Sequence, residues 1–80
     1  LRRRIPVLVE NNGAFDNIYE ILDTNCGTQS SLPVKAHATV TIYICVGNNS
    51  VYASFKARQK GNTVWNNFDL VGAGEKRSLN

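Results

Sequence analysis

The sequence is poor in the residue types that usually carry chemistry. Histidine occurs once, at His37, and cysteine twice, at Cys26 and Cys45. A Cys–His pair drawn from these is arithmetically available, but nothing in the sequence places a nucleophile beside His37. Two cysteines and one histidine fall short of a structural zinc site unless carboxylates complete it, so no metal is expected. Gly72-Ala73-Gly74 has neither the length nor the following helix of a phosphate-cradling loop. Asp16, Glu20 and Asp23 are the carboxylates available for acid–base work, and they read as a solvated strand face. No apolar run approaches the roughly 18 residues of a transmembrane helix, and repeats, low-complexity tracts and long linkers are missing too. The expectation is a chain with no enzymatic activity, no cofactor and no membrane span.

What is present fits one small domain spanning residues 1–80. A chain of this length buries only roughly 60–65% of its unfolded surface, so its stability margin is thin. If Cys26 and Cys45 are joined, they close a loop of about 20 residues worth about 3 kcal/mol. Thr24-Asn25-Cys26-Gly27 supplies turn chemistry on one side of such a bridge and a strand supplies Cys45 on the other, so a disulfide is the expectation. It points to an oxidising compartment and hence secretion. The chain begins at Leu1 rather than Met; removal of an upstream signal peptide and a truncation explain this equally well.

Net charge is +3, unevenly spread. Arg2, Arg3 and Arg4 form one cluster, Lys56, Arg58 and Lys60 a second, and Lys76-Arg77 a third. Residues 1–4 read as a basic, disordered arm. The asymmetry allows an anionic partner without requiring one.

Strand signals dominate. Arg4–Glu10 alternates, with Ile5, Val7 and Val9 on one face. Pro6 suits a strand start or edge, and Asn11-Asn12-Gly13 signals a turn. Phe15–Asp23 could be a short helix, with Asp16 or Asn17 as N-cap and Ile18, Ile21 and Leu22 at helical spacing. Its Ile, Tyr and Asn residues are weak helix formers, and a returning strand is preferred. Thr24 to about Val34 reads as a loop rich in Ser, Thr, Gly and Pro.

Ala38–Lys60 reads as a hairpin about Asn48-Asn49, pairing Val46 with Val51, Ile44 with Ala53, Ile42 with Phe55 and Val40 with Ala57. Thr63–Val71 and Glu75–Leu79 complete six strands, at a spacing that suggests a small sandwich or barrel. The expected core is Ile5, Val7, Val9, Ile18, Val40, Ile42, Ile44, Val46, Val51, Phe55, Trp65 and Phe68.

Two features point to binding. Lys56, Arg58 and Lys60 share a strand face at roughly 7 Å spacing, with Tyr52 on that face and Tyr43 across the hairpin. Basic groups interleaved with aromatics suit single-stranded nucleic acid or an acidic protein surface; a solvated face that deters aggregation is the plain alternative. Asn48-Asn49-Ser50 is an N-glycosylation sequon on the expected hairpin tip.

Glu10–Asn25, with its polar Gly-containing turn leading into "DNIY" (Asp16–Tyr19), resembles the first turn and second strand of the MAX effectors of plant-pathogenic fungi. That family includes ToxB-like toxins and avirulence proteins. Thr41–Ala57, with its Val-Gly-polar-polar turn and "KA" ending, is similar to the third and fourth strands of the ToxB-like members. The order of strands and turns matches over about 60 residues, Ile5 to Val71.

The resemblance implies a small six-stranded antiparallel β-sandwich of two three-stranded sheets. It also implies a secreted, non-enzymatic virulence or avirulence effector, with translocation into host cells as a further step. Partners would be host plant proteins, such as small heavy-metal-associated-type domains or immune receptors, met by strand addition. Asn17, Ile18, Tyr19, Glu20 and Ile21 would then form an edge-strand contact strip, in a protein expected to be monomeric. Family members usually bridge a cysteine at the start of the first strand to one after the fourth. Here Ile5-Pro6 and Arg58-Gln59-Lys60 stand at those places, so a Cys26–Cys45 bridge departs from the family pattern. The rival expectations are a basic toxin or antimicrobial protein acting on anionic membranes, and a nucleic-acid-binding β-module using the Tyr/Lys/Arg stripe.

Overall fold

The computed structural model describes residues 3–80. Among them there is no helix. Seven strands are formed: β1 (Arg4–Glu10), β2 (Asn17–Asp23), β3 (Thr28–Val34), β4 (Thr39–Cys45), β5 (Ala53–Gln59), β6 (Asn66–Val71) and β7 (Lys76–Ser78). They make a three-stranded sheet ordered β4-β1-β7 and a four-stranded sheet ordered β3-β2-β5-β6. The chain is therefore an all-β sandwich, with one strand more than the sequence suggests. Every ladder is antiparallel except β1 with β7, which is parallel. No helix among the described residues is long and apolar enough to cross a membrane.

The additional strand is β3, drawn from the segment that reads as a loop. Its sequence, Thr-Gln-Ser-Ser-Leu-Pro-Val, is mostly exposed and lacks an apolar alternation. Its pairing is set by the Thr24–Gly27 turn, where the Gly27 N–H donates to the Asp23 carbonyl at 2.7 Å and Gly27 takes φ +69°. Phe15–Asp23 is strand from Asn17 onward, as the residue types favour, but Phe15 and Asp16 lie in the preceding loop.

The expected Val40–Ala57 hairpin ladder does not form. β4 pairs with β1 along its length (Ile44 with Ile5, Ile42 with Val7, Val40 with Val9), while β5 pairs with β2 and β6 in the other sheet. A single bridge joins the two arms, Val46 to Ala53, two residues out of the expected register, which set Val46 against Val51 and Ala53 against Ile44. The chain turns a corner between sheets over residues 46–53, with Asn49 at φ 56° and the Ser50 N–H donating to the Gly47 carbonyl. Alternation still sorts the side chains within the strands, although Cys45, of the outer series, is buried and Val51, of the inner series, is exposed. Ile44, Val46, Ala53, Phe55 and Ala57 point inward, and Thr39, Thr41 and Tyr43 outward. Period 2 fixes which face a residue takes but not which strand lies beside it.

The core gathers Ile5, Val7 and Val9 from β1, Tyr19 and Ile21 from β2, Ala53, Phe55 and Ala57 from β5, with Val34, Ile44, Val46, Val71 and Leu79. Phe55 stacks on Phe68 at 4.8 Å between ring centroids. Two expected core residues, Ile18 and Val51, are exposed. Ile18 fails because β2 faces inward through its odd positions.

Tyr19 is 1% exposed, and its hydroxyl lacks a hydrogen-bond partner. An unpaired buried hydroxyl is costly. Tyr19→Phe is expected to leave the fold intact and raise stability by about 1 kcal/mol in a urea titration; destabilisation would show that the hydroxyl is satisfied.

Polar ties join the sheets at both ends. Buried Asn11, following β1, donates through Nδ2 to the Val34 carbonyl (3.1 Å) and the Phe15 carbonyl (2.9 Å), and its Oδ1 accepts from the Gly13 N–H. At the other end buried Asp23 accepts from the N–H of Cys26 (3.2 Å) and of Cys45 (2.9 Å), and the Cys26–Cys45 disulfide makes the same connection covalently. In the turn before β7, a hydrogen bond from Arg77 and then one from the Gly72 N–H hold the Glu75 carboxyl below the usual carboxylate range.

Leu1 and Arg2, half of the expected disordered arm, lie outside the described residues. The other half is ordered: Arg3 accepts at its carbonyl from the Val46 N–H and Arg4 opens β1.

Candidate functional site: the free edge of β4

Which backbone groups are free follows from the hydrogen bonds just beyond the strand ends. Lys60 donates to the Ile18 carbonyl and Thr24 to the Ser54 carbonyl. In an antiparallel ladder the bonded pairs alternate, so even residues of β2 bond to β5 and odd residues to β3. β2 is therefore paired on both sides from Tyr19 to Asp23, and the Ile18 carbonyl is taken as well. This corrects the expectation that Asn17–Ile21 is an edge. Tyr19 lies between Leu32 and Gln59, and Tyr19 and Ile21 face the core. Glu20 is held by Arg58 at 2.9 Å. Asn17 and Ile18 line an open groove of about 470 Å³ with Asp16, Pro33, Val34 and Lys35. The Asp16 carboxylate is taken by the Ala36 N–H.

The same alternation locates the free groups at the sheet edges. In β3 the outward backbone groups belong to Gln29, Ser31 and Pro33, and Pro33 has no N–H to offer. In β6 they belong to Asn67 and Asp69, ahead of Leu70 at φ 55° where the ladder loses register. β7 has only three residues and carries Lys76 and Arg77. Charge, proline, irregularity and shortness are the usual ways of blunting an edge.

β4 has none of these. The Val46 N–H donates to the Arg3 carbonyl and the Asn11 N–H to the Ala38 carbonyl, which assigns the even residues of β4 to β1. The N–H and C=O groups of Thr39, Thr41 and Tyr43 point away from the sheet. Cys45, next in that series, gives its N–H to Asp23. The strand reads Thr-Val-Thr-Ile-Tyr-Ile-Cys, without charge or proline. Tyr43 is 63% exposed, and Val40 and Ile42, on the inner face, are only partly buried. No signal in the sequence alone marks this edge, because finding it requires knowing that β1 is the partner of β4.

The basic and aromatic residues divide. Lys56 and Arg58 project from the outer face of the four-stranded sheet, as alternation requires, and Lys60 follows at the end of β5. Arg58 is engaged by Glu20 and stacks over Trp65 at 4.1 Å from the ring centroid, while Gln29 donates to the other Glu20 oxygen. Tyr43 lies on the opposite face of the sandwich, and Tyr52 sits at the corner before β5. The single expected stripe is thus two separate surfaces, and its central cation is already paired.

Both cysteines are spent in the disulfide, so neither pairs with His37, which is exposed in the turn before β4 at φ 60°. Asp23, Cys26 and Cys45 bring their ligand atoms within 4.8 Å of one another. The two sulfurs are bonded to each other and the carboxylate holds two N–H groups, which makes the cluster a structural tie. No family model, curated protein or solved structure matches the chain.

Proposed function

We propose that the chain is a secreted, non-catalytic binding module that takes an extended segment of a partner protein along the free edge of β4. The observation that carries this reading is the run of outward N–H and C=O groups at Thr39, Thr41 and Tyr43 on an uncharged strand. Main-chain bonds at such an edge supply affinity, and exposed side chains such as Tyr43 supply selectivity. The disulfide suits an oxidising compartment. The resemblance to MAX effectors supplies the partner class, host plant proteins including heavy-metal-associated-type domains, and with it a virulence or avirulence role. The edge is moved from β2 to β4.

Titrating a panel of plant heavy-metal-associated-type domains into the protein by calorimetry tests this. Saturable binding is expected with at least one domain, weakened about tenfold or more by Thr41→Pro. Proline fits at Thr41 because that N–H makes no ladder bond; Ile42→Pro removes a bond to Val7 and is expected to unfold the strand. Absence of binding across the panel, or full affinity in folded Thr41→Pro, overturns the reading.

A further inference from the structure

We infer that, without a partner, a second copy of this chain occupies the β4 edge, giving a two-fold symmetric dimer in which β4 pairs antiparallel with β4 of the other copy. The inference rests on the edge identified above and concerns what masks it.

Three observations select a second copy as occupant. The first is register. The free groups belong to Thr39, Thr41 and Tyr43, and the next in the series, Cys45, is taken by Asp23. One symmetric alignment satisfies all three residues of both copies: Thr41 opposite Thr41, and Thr39 opposite Tyr43 twice. It is self-complementary, as a two-fold interface must be.

The second is side-chain chemistry. On the outer face this alignment sets hydroxyls against hydroxyls and each tyrosine against a threonine, pairs that stabilise cross-strand contacts. On the inner face it sets Val40 against Ile42, two residues left partly uncovered at this end of the core.

The third is charge. Thr39–Cys45 carries none, so pairing brings no like charges directly opposite despite the net charge of +3 on each copy. The other edges each lack one of these properties. Pro33 deprives β3 of a donor, Asp69 would add like charge along β6, and β7 is too short.

Self-association of this kind regulates binding by competition. A partner strand must displace the second copy, so apparent affinity falls as protein concentration rises.

Single-cysteine variants at Thr41, Thr39 and Tyr43, with the native disulfide intact, test the register under mild oxidation. In the inferred alignment Thr41 faces its own copy as a hydrogen-bonded pair, at a Cα separation of about 5.5 Å that a disulfide can span. Thr41→Cys is expected to give a covalent dimer of twice 8.8 kDa in high yield. Thr39→Cys and Tyr43→Cys are expected to cross-link poorly alone and well when mixed. Sedimentation of the unmodified protein is expected to show mass rising towards the dimer with concentration, and Thr41→Lys to restore the monomer by placing two ammonium groups face to face. Equal cross-linking at all three positions, or a concentration-independent monomer, overturns the inference. Failure here with partner binding still sensitive to Thr41→Pro leaves the strand-addition reading standing; a Thr41 cross-link with no binding across the domain panel removes that reading and leaves the dimer.

Discussion

Replacing both cysteines, Cys26→Ala with Cys45→Ala, is expected to cost about 3 kcal/mol and lower the melting temperature by about 12–24 °C. The bridge joins residues 19 apart in sequence, and the loop it closes carries most of the entropic effect. Its placement adds to this. Cys26 lies in the β2–β3 turn of the four-stranded sheet, and Cys45 ends β4 in the three-stranded sheet, so the bond staples one sheet to the other. Asp23 and Asn25 hold the same end, Asn25 through a 3.0 Å bond to the Cys45 carbonyl, so the variant is expected to fold with a reduced margin. Reduction of the unmodified protein in a guanidinium titration should reproduce the shift. A loss below about 1 kcal/mol would mean that the unfolded chain gains little freedom when the bridge is cut.

Asn11→Leu is expected to be comparably damaging, at about 2–4 kcal/mol, because it strands buried polar groups at the opposite end. Asn11 has no exposed surface and serves three backbone groups: the Val34 and Phe15 carbonyls and the Gly13 N–H. Leucine keeps the branched shape at a larger volume, so it both crowds the site and satisfies none of these groups. Asn11→Asp separates hydrogen bonding from packing. It keeps the acceptor for Gly13 but turns a carboxylate towards two carbonyl oxygens, so it is expected to destabilise although its shape is nearly identical. Urea titrations of the two variants decide this. A tolerated Asn11→Asp would show that the amide donor is dispensable and that the sheets are held at this end by apolar contact alone.

Individual residues show why the sequence was legible to the depth it was. The strands β1, β2, β4 and β5 announce themselves through β-branched and aromatic alternation, and β1 and β5 also place their inner faces correctly; β6 begins only at Asn66, so Thr63, Val64 and Trp65 of the expected Thr63–Val71 strand lie outside it. β2 does not. Ile18, Ile21 and Leu22 offer apolar side chains to both faces, and the structure buries Tyr19 and Ile21 instead of Ile18. β3 was invisible because an exposed edge strand can be built from Gln and Ser, and its proline costs nothing where the N–H would face solvent. β7 is short and parallel to β1, a pairing set by the chain's return past Gly74, whose N–H donates to the Pro6 carbonyl.

The hairpin about Asn48-Asn49 is the most instructive difference. Strong turn residues between two alternating strands are read as one ladder, yet the same turn can carry the chain across the core to the other sheet. That choice moved the free edge from β2 to β4 and split the cationic stripe. The site was hidden because edges are properties of strand order, and strand order is set by contacts distant in sequence.

Residue-resolved amide hydrogen exchange in dilute solution tests that strand order most directly. The expected result is alternation in β4, with Thr39, Thr41 and Tyr43 exchanging rapidly and Val40, Ile42 and Ile44 slowly, beside uniform protection from Tyr19 to Leu22. Slow exchange at Thr41 in the dilute monomer, together with rapid exchange at every second residue of β2, would contradict it and return the free edge to β2.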